Sequence, residues 1–325
     1  MSINAYAAMA AKQKLQKFQY EPEELGPWDV EVKISHCGIC HSDVHLIDDD
    51  WAMSSYPLVP GHEIVGAITA AGSSVTHLKN GQRVGIGWQR SACLTCEFCA
   101  RGEENLCPQN EAICMGHYGG FAEAIRTDSR FVFPIPETLD SEHVGPLMCG
   151  GITVFSPLRR YGVQPTMKVG VIGIGGLGHL ALQFARAFGC EVTAFSTSPD
   201  KETEARSFGA HFFVNSKDKS AMKKAIDSLD FILNTIYVDI DWAVYLNILR
   251  PNGQLCTVAA SPNPITLPVF PLMGGQKSIC GSVIGGRAVI MEMLEFAARH
   301  GIQAKTEVVP MSEVNAAVDK VRRGK

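Results

Sequence analysis

Asp29-Val30-Glu31-Val32-Lys33-Ile34 alternates polar and apolar side chains with a period of two, the pattern of a strand with one buried face. Short strands are expected over residues 1–35 and again over 56–87, where valine- and isoleucine-rich runs are cut by Pro60-Gly61, Ala71-Gly72 and Asn80-Gly81. Apolar runs this short, between turn signals this dense, predict a small β-barrel or sandwich. Residues 108–148 return to the same habit, with Phe131-Val132-Phe133 ahead of Pro134.

From residue 168 the rhythm changes. Lys168-Val169-Gly170-Val171-Ile172 reads as a buried strand and Gly173-Ile174-Gly175-Gly176-Leu177-Gly178 as a turn. Leu177, Leu180, Ala181, Phe184, Ala185 and Phe188 then fall on one face of a helix. Further strands are predicted at 191–195, 212–214, 231–233 and 255–259, with helices over 199–208, 219–228 and 241–249 between them. Ser198 is expected to cap the first of those helices, with Pro199 at its first position and Gly209 stopping it. Strands separated by helices imply a parallel, doubly wound sheet. Residues 286–299 predict a helix, 307–309 a strand, and the last residues another helix.

At 325 residues the chain is long for one core, so two domains are expected. The formal net charge is −4, without a lysine or arginine block, which argues against nucleic acid or an anionic membrane as partner. The first residues lack the basic region of a signal peptide, and no apolar run is long enough to span a bilayer. Eleven cysteines are too few for a disulfide scaffold of this length, and several stand at metal spacing, which suits a reducing cytoplasm.

The chemistry concentrates in Cys37-Gly38-Ile39-Cys40-His41-Ser42-Asp43-Val44-His45 and the nearby Gly61-His62-Glu63. Alone, the Cys37/Cys40 pair fits a redox couple, half a zinc clamp or two core thiols. A hydroxyl, two carboxylates and three histidines beside it shift the reading to a catalytic zinc, which takes three protein ligands and keeps a fourth position open. Cys40 and His62 are the candidates, with the third ligand expected far downstream. Cys93, Cys96, Cys99 and Cys107 can wrap one tetrahedral ion; an iron–sulfur site or disulfides are the alternatives. Cys149, at a predicted helix start, reads by itself as a small buried apolar residue.

Strand, glycine turn, helix and second strand in register predict a dinucleotide site, with Gly173, Gly175, Gly176, Leu177 and Gly178 facing the pyrophosphate. Where an NAD site carries an acidic residue, at the end of the second strand, this chain has Ser196. Ser196, Thr197 and Ser198 offer hydroxyls and Lys201 a positive charge, so NADP(H) is the expected cofactor.

Taken together, Gly38-Ile39-Cys40-His41-Ser42-Asp43, Gly61-His62-Glu63, the four-cysteine lobe, Pro146-Leu147-Met148-Cys149-Gly150-Gly151-Ile152-Thr153-Val154 and the glycine turn resemble the zinc-dependent medium-chain alcohol dehydrogenases. The similarity is to their cinnamyl alcohol dehydrogenase-like branch, with its bacterial NADPH-dependent aldehyde reductases, and it covers essentially the whole chain. The resemblance implies an α/β protein with a GroES-like catalytic domain (residues 1–150 and 287–325) and a Rossmann cofactor domain (151–286). It implies two Zn2+ per chain, a catalytic one on Cys40, His62 and Cys149 and a structural one on the four-cysteine lobe, leaving Cys37 in the core. Ser42 then passes a proton that His45 relays, Asp43 orients His62, Glu63 stands beside the metal, and Thr153 joins the cofactor site. The substrate is an aldehyde or alcohol. The loop between Cys107 and Gly119 looks shorter than in plant cinnamyl alcohol dehydrogenases, which favours a general aldehyde reductase. A homodimer through the sheet edge near 278–284 is expected by analogy. An NAD-linked polyol or primary-alcohol dehydrogenase, or a zinc-bearing binding protein, are the competing readings.

Overall fold

In a computed structural model of the chain, which describes residues 2–261 and 263–324, the alternating stretch lies within a ten-residue strand. Strand β1 (Ile3–Ala7) pairs antiparallel with β2 (Gln16–Tyr20) ahead of that strand, β3 (Asp29–Gly38). Val30 and Val32 turn wholly inward and Lys33 outward, as the period-two pattern requires. Then come helix α1 (His41–Asp48), β4 (Glu63–Ala71), β5 (Arg83–Ile86), β6 (Gln89–Ser91), α2 (Glu97–Ala100), β7 (Glu111–Ala112), β8 (Ala124–Asp128), β9 (Val132–Pro134), α3 (Ser141–Val144) and α4 (Gly150–Arg160). Five of these strands form one antiparallel sheet in the order β8-β3-β4-β5-β9.

The next segment alternates β10 (Lys168–Ile172), α5 (Gly176–Ala187), β11 (Glu191–Ser196), α6 (Glu202–Ser207), β12 (Phe212–Asn215), α7 (Lys219–Lys224), β13 (Leu229–Asn234), α8 (Trp242–Ile248), β14 (Leu249–Thr257), α9 (Val269–Gly274) and β15 (Ser278–Gly281). All six strands run parallel in the order β12-β11-β10-β13-β14-β15. The order reverses at β10, so the crevice beyond its carboxyl end is the switch point where such sheets bind ligands. The sheet is covered on both faces, and its strands are accordingly near-continuous apolar runs; Phe195 and Phe231, buried in β11 and β13, each contribute about 2–3 kcal/mol by leaving water.

Helix α10 (Arg287–His300) follows, burying Ile290, Met293, Leu294 and Ala297 along one stripe, and the chain closes with α11 (Val314–Arg322). Val314 and Val318 of α11 join Val44, Leu46 and Ile47 of α1 in the core around the antiparallel sheet. The chain thus divides into two compact units, Met1–Ile152 with Gly285–Lys325, and Thr153–Ile284.

Three expectations are corrected. Residues 307–309 form no strand: no described strand pairs with them, Val308 is 56% exposed, and Pro310 lacks a backbone donor. The helix expected over 199–208 begins as a 3-10 turn at Pro199–Lys201 and becomes α-helical only at Glu202; Ser198 stands at the N-cap position but its side chain makes no capping bond, and its N–H donates to Ser196 Oγ at 3.1 Å. The helix expected over 219–228 stops at Lys224, since Ser228 N is drawn to Ile248 O at 2.9 Å and Asp227 turns left-handed.

Candidate metal centres

Strand β3 delivers the chain to Cys40, which sits in extended backbone as the N-cap of α1. Its Sγ accepts from Ser42 N (3.4 Å) while its own N–H donates to Asp43 Oδ2 (2.9 Å), a reciprocal capping box that fixes the thiol at the N-terminal end of the helix. Asp43 is completely buried. Its other oxygen accepts from Gly61 N at 2.9 Å and lies 2.8 Å from His62 Nδ1. A carboxylate there fixes the proton on Nδ1 and turns Nε2 toward Cys149 Sγ, 3.3 Å away.

Cys149 ends the 3-10 turn Gly145–Met148, immediately before α4, and its Sγ is 3.9 Å from that of Cys40. Donor atoms of Cys40, His62, Glu63 and Cys149 all lie within 4.8 Å of one another. Two thiolates bound tetrahedrally at about 2.3 Å from one ion stand roughly 3.8 Å apart, so the cluster has zinc spacing as well as zinc chemistry. Glu63 reaches it by register: Gly38 faces Glu63 across the β3–β4 ladder, and a Cβ on Gly38 would collide with the Glu63 carboxylate.

The charges in this cluster are tightly linked. A hydrogen bond from the Cys149 thiol holds Cys40 well below the usual thiol range against the cost of burial, with His62 helping. The same bond, followed by burial, pushes Cys149 up. Burial works to lower His62, but the Asp43 charge and hydrogen bond overcome it and raise the imidazole well above its ordinary value. Burial, then the Cys40 thiolate, pushes Glu63 up. A divalent cation would answer the same negative charge that these protons now answer. Trp88 closes one side, its ring edge-on to His62 at 4.9 Å, and Trp51 packs against Trp88.

Ser42 and His45 are one helical turn apart on α1, hence on one face. His45 Nδ1 lies 2.7 Å from Asp50 Oδ2, and its ring contacts Trp51 and His41. Cys37 Sγ packs under Gly61 and Gly120, outside the four-residue metal cluster.

The second cluster is Cys93, Cys96, Cys99 and Cys107. Sγ separations of 3.9 Å (Cys93–Cys99) and 3.5 Å (Cys93–Cys107) again suit one tetrahedral ion. Amides of Thr95 and Cys96 donate to Cys93 Sγ, and that of Gln109 to Cys107 Sγ. Donation from Thr95 leads in bringing Cys93 down to about 6. Glu104, absent from the expected site, anchors this lobe: its carbonyl accepts from Gln89, and its carboxylate accepts from Arg287 N (3.1 Å) at the start of α10. Only burial (5% exposed) marks Glu104 out, and no spacing rule in the sequence signals it.

In the parallel-sheet unit, Gly173 has φ +90, and Gly178 packs so tightly on the Gly173 carbonyl that a Cβ would not fit. Lys201 Nζ donates to Ile174 O (3.1 Å) within this turn and pairs with Glu204 at 3.4 Å, so the ammonium stands over the glycine turn; Ser196 ends β11. Thr197 and Ser198 follow directly, and Thr153 is buried on α4. Thr235, also missed, donates to Ile172 O at 2.7 Å and closes the turn from β13's end; the available signal was the polar Asn234-Thr235 ending an apolar strand.

Residues 26–137 match the profile of the alcohol dehydrogenase GroES-like domain and residues 176–299 that of zinc-binding dehydrogenases. "Aldehyde reductase AdhA" of Synechocystis sp. is 45% identical over 323 residues, spanning 99% of this chain and 96% of that relative. The chain belongs to the zinc-dependent medium-chain alcohol dehydrogenase family. Within that family it is also 42% identical to a probable cinnamyl alcohol dehydrogenase of Oryza sativa, over 98% of this chain and 89% of the relative. Among solved family structures, a cinnamyl alcohol dehydrogenase of Sorghum bicolor superposes with a TM-score of 0.96 at 38% identity, covering 99% of this chain and 95% of its own. The Helicobacter pylori enzyme complexed with NADP(H) gives 0.92 at 32%, covering 100% and 95%.

Proposed function

We propose that this chain is an aldehyde reductase and alcohol dehydrogenase that moves a hydride between NADP(H) and an aldehyde or primary alcohol. The observation that carries the reading is the donor set Cys40, His62 and Cys149, gathered at zinc spacing with His62 held by a buried Asp43. The family relatives support it: one is named an aldehyde reductase, and a cinnamyl alcohol dehydrogenase neighbour is complexed with NADP(H). Residues 1–150 and 287–325 are the catalytic domain in this reading, and 151–286 the cofactor domain.

When bound, zinc on Cys40, His62 and Cys149 supplies a Lewis acid for a carbonyl oxygen, and NADPH supplies the hydride. The chain's own residues do the rest. Asp43 keeps the proton on His62 Nδ1, so that Nε2 is the ligating atom. Glu63 balances charge beside the metal. Ser42 Oγ gives a proton to the alcohol oxygen; with Asp50 holding His45 Nδ1, His45 Nε2 resupplies Ser42. Replacing Ser42 by alanine is expected to slow turnover about 100-fold with both zinc ions retained; undiminished turnover takes Ser42 out of the relay. The lobe of Cys93, Cys96, Cys99 and Cys107 holds a second zinc with no open position, and its role is to stiffen.

Gly173, Gly175, Gly176, Leu177 and Gly178 take the pyrophosphate, while Ser196, Thr197, Ser198 and Lys201 take the 2′-phosphate, with Thr153 on the same cofactor. The ammonium of Lys201, tethered to the glycine turn, is the charge that selects NADP(H). Ser196→Asp puts an anion against that phosphate and is expected to shift kcat/KM from NADPH toward NADH by roughly 100-fold. An unchanged ratio argues for the NAD-linked reading.

The same proposal makes the protein a cytoplasmic homodimer. A reducing compartment suits a chain whose cysteines include six proposed metal ligands and form no disulfide among the described residues. Strand β15 is a sheet edge, and α9 just before it exposes Val269, Phe270 and Met273, with Phe270 81% exposed. Phe270→Glu is expected to yield monomers in light scattering after gel filtration; a persisting dimer moves the interface elsewhere.

A further inference from the structure

Cys256 and Cys280 belong to neither metal cluster. They stand opposite each other in the sheet, in register on β14 and β15. Side chains in register on neighbouring parallel strands leave the same face, and the strand spacing of about 4.8 Å lies inside the Cα separation a disulfide accepts. Cys256 Sγ donates to Thr257 O at 3.9 Å and Cys280 Sγ to Leu255 O at 3.7 Å, so both thiols are held at this pair of strands. Cys256 is fully buried, whereas Cys280, on the edge strand, is partly exposed; side chains stand off the faces of a sheet, so edge-to-edge backbone pairing in the proposed dimer does not of itself cover this sulfur. Tyr161, whose hydroxyl donates to Gly281 O at 2.6 Å, lies beside Cys280, and Arg160 is close enough to act on both sulfurs. One thiol within reach of solvent and one behind it is the arrangement of an attacking and a resolving cysteine.

We propose that Cys256 and Cys280 are an oxidative modification site, a dithiol that hydroperoxides close reversibly to a disulfide. The Cys280 thiolate attacks a peroxide oxygen, the O–O bond breaks, and Cys280 becomes a sulfenic acid as hydroxide or alkoxide leaves. Cys256 sulfur then attacks the Cys280 sulfur. The S–S bond forms, the S–O bond breaks, and the departing hydroxide takes the Cys256 proton as water. The two sulfurs together lose the two electrons that reduce the peroxide. Interaction with the neighbouring Cys256 thiol leads, and Tyr161 and Arg160 assist, in bringing Cys280 down to about 7, while Cys256 is pushed up, which fits the order of attack. A dithiol reductant reverses the bond by exchange. The link fastens edge strand β15 to β14 and stands apart from the proposed activity.

The test treats the zinc-loaded full chain with hydrogen peroxide, alkylates the remaining thiols, and maps peptides without reduction. The expected result is a Cys256–Cys280 peptide pair lighter by two hydrogens, with loss of both thiols to alkylation and their return after dithiothreitol. In Cys256→Ser, Cys280 should instead be trapped as the sulfenic acid by a 1,3-dione. Both thiols staying alkylatable while others oxidise, Cys280 oxidising without linking to Cys256, or Cys280 resisting every reagent in the native protein would each overturn the proposal.

Discussion

Cys149→Ala is expected to bind one zinc ion per chain, against two expected for the unaltered protein, and to lose aldehyde reduction by about three orders of magnitude or more. The loss follows from geometry. Cys149 Sγ lies 3.9 Å from Cys40 Sγ and 3.3 Å from His62 Nε2, so its removal leaves two of three ligands around the same point. Cys40 and His62, even with the nearby Glu63 carboxylate, make a weaker site than one with two thiolates, and loss of the ion leaves the carbonyl without its electrophile. The substitution removes a single sulfur from a nearly buried position, so folding should change by only about 1–2 kcal/mol. Metal content, turnover and thermal unfolding measured on one preparation distinguish the loss of the ion from the loss of the fold. Wild-type zinc content with wild-type turnover would mean that Cys149 is the ordinary core thiol its sequence context suggests.

The second large effect has the opposite signature. Cys107→Ser should release the other zinc ion and lower the unfolding midpoint by about 10 °C, because the binding energy of a closed four-thiolate site is folding energy. Cys107 is the buried member of the lobe, at 1% exposure. Protein that remains folded should keep most of its turnover, since the lobe is also tied down through Glu104 and Arg287. A loss of turnover as deep as that of Cys149→Ala, with the midpoint unmoved, would show the lobe taking part in the chemistry. Calorimetry alongside metal analysis reads both quantities.

The contrast between these two cysteines also marks how far the sequence could be read. Cys93, Cys96, Cys99 and Cys107 lie within one short loop, so local spacing alone assembles a tetrahedral set. Cys149 is separated from Cys40 by 109 residues, and the packing of β3, β4 and β5 against the Gly145–Met148 turn brings them together. No periodicity reports such a meeting, which is why the resemblance was needed to select it. The parallel sheet was legible because buried strands and amphipathic helices carry strong, regular patterns. The misjudged segments are those where tertiary contacts decide: the 307–309 run has strand-forming residues but no described partner strand, and the 219–228 helix ends early because the backbone at Ser228 is drawn to Ile248. Glu104 and Thr235 escaped notice because each acts through long-range hydrogen bonds, which local pattern does not report.

Diffraction recorded at the zinc absorption edge on crystals of the zinc-loaded protein bears most directly on the Lewis-acid centre. Two anomalous peaks per chain are predicted, one of them about 2.0–2.3 Å from Cys40 Sγ, His62 Nε2 and Cys149 Sγ together. A single peak in the four-cysteine lobe, with Cys149 turned aside, would contradict the account.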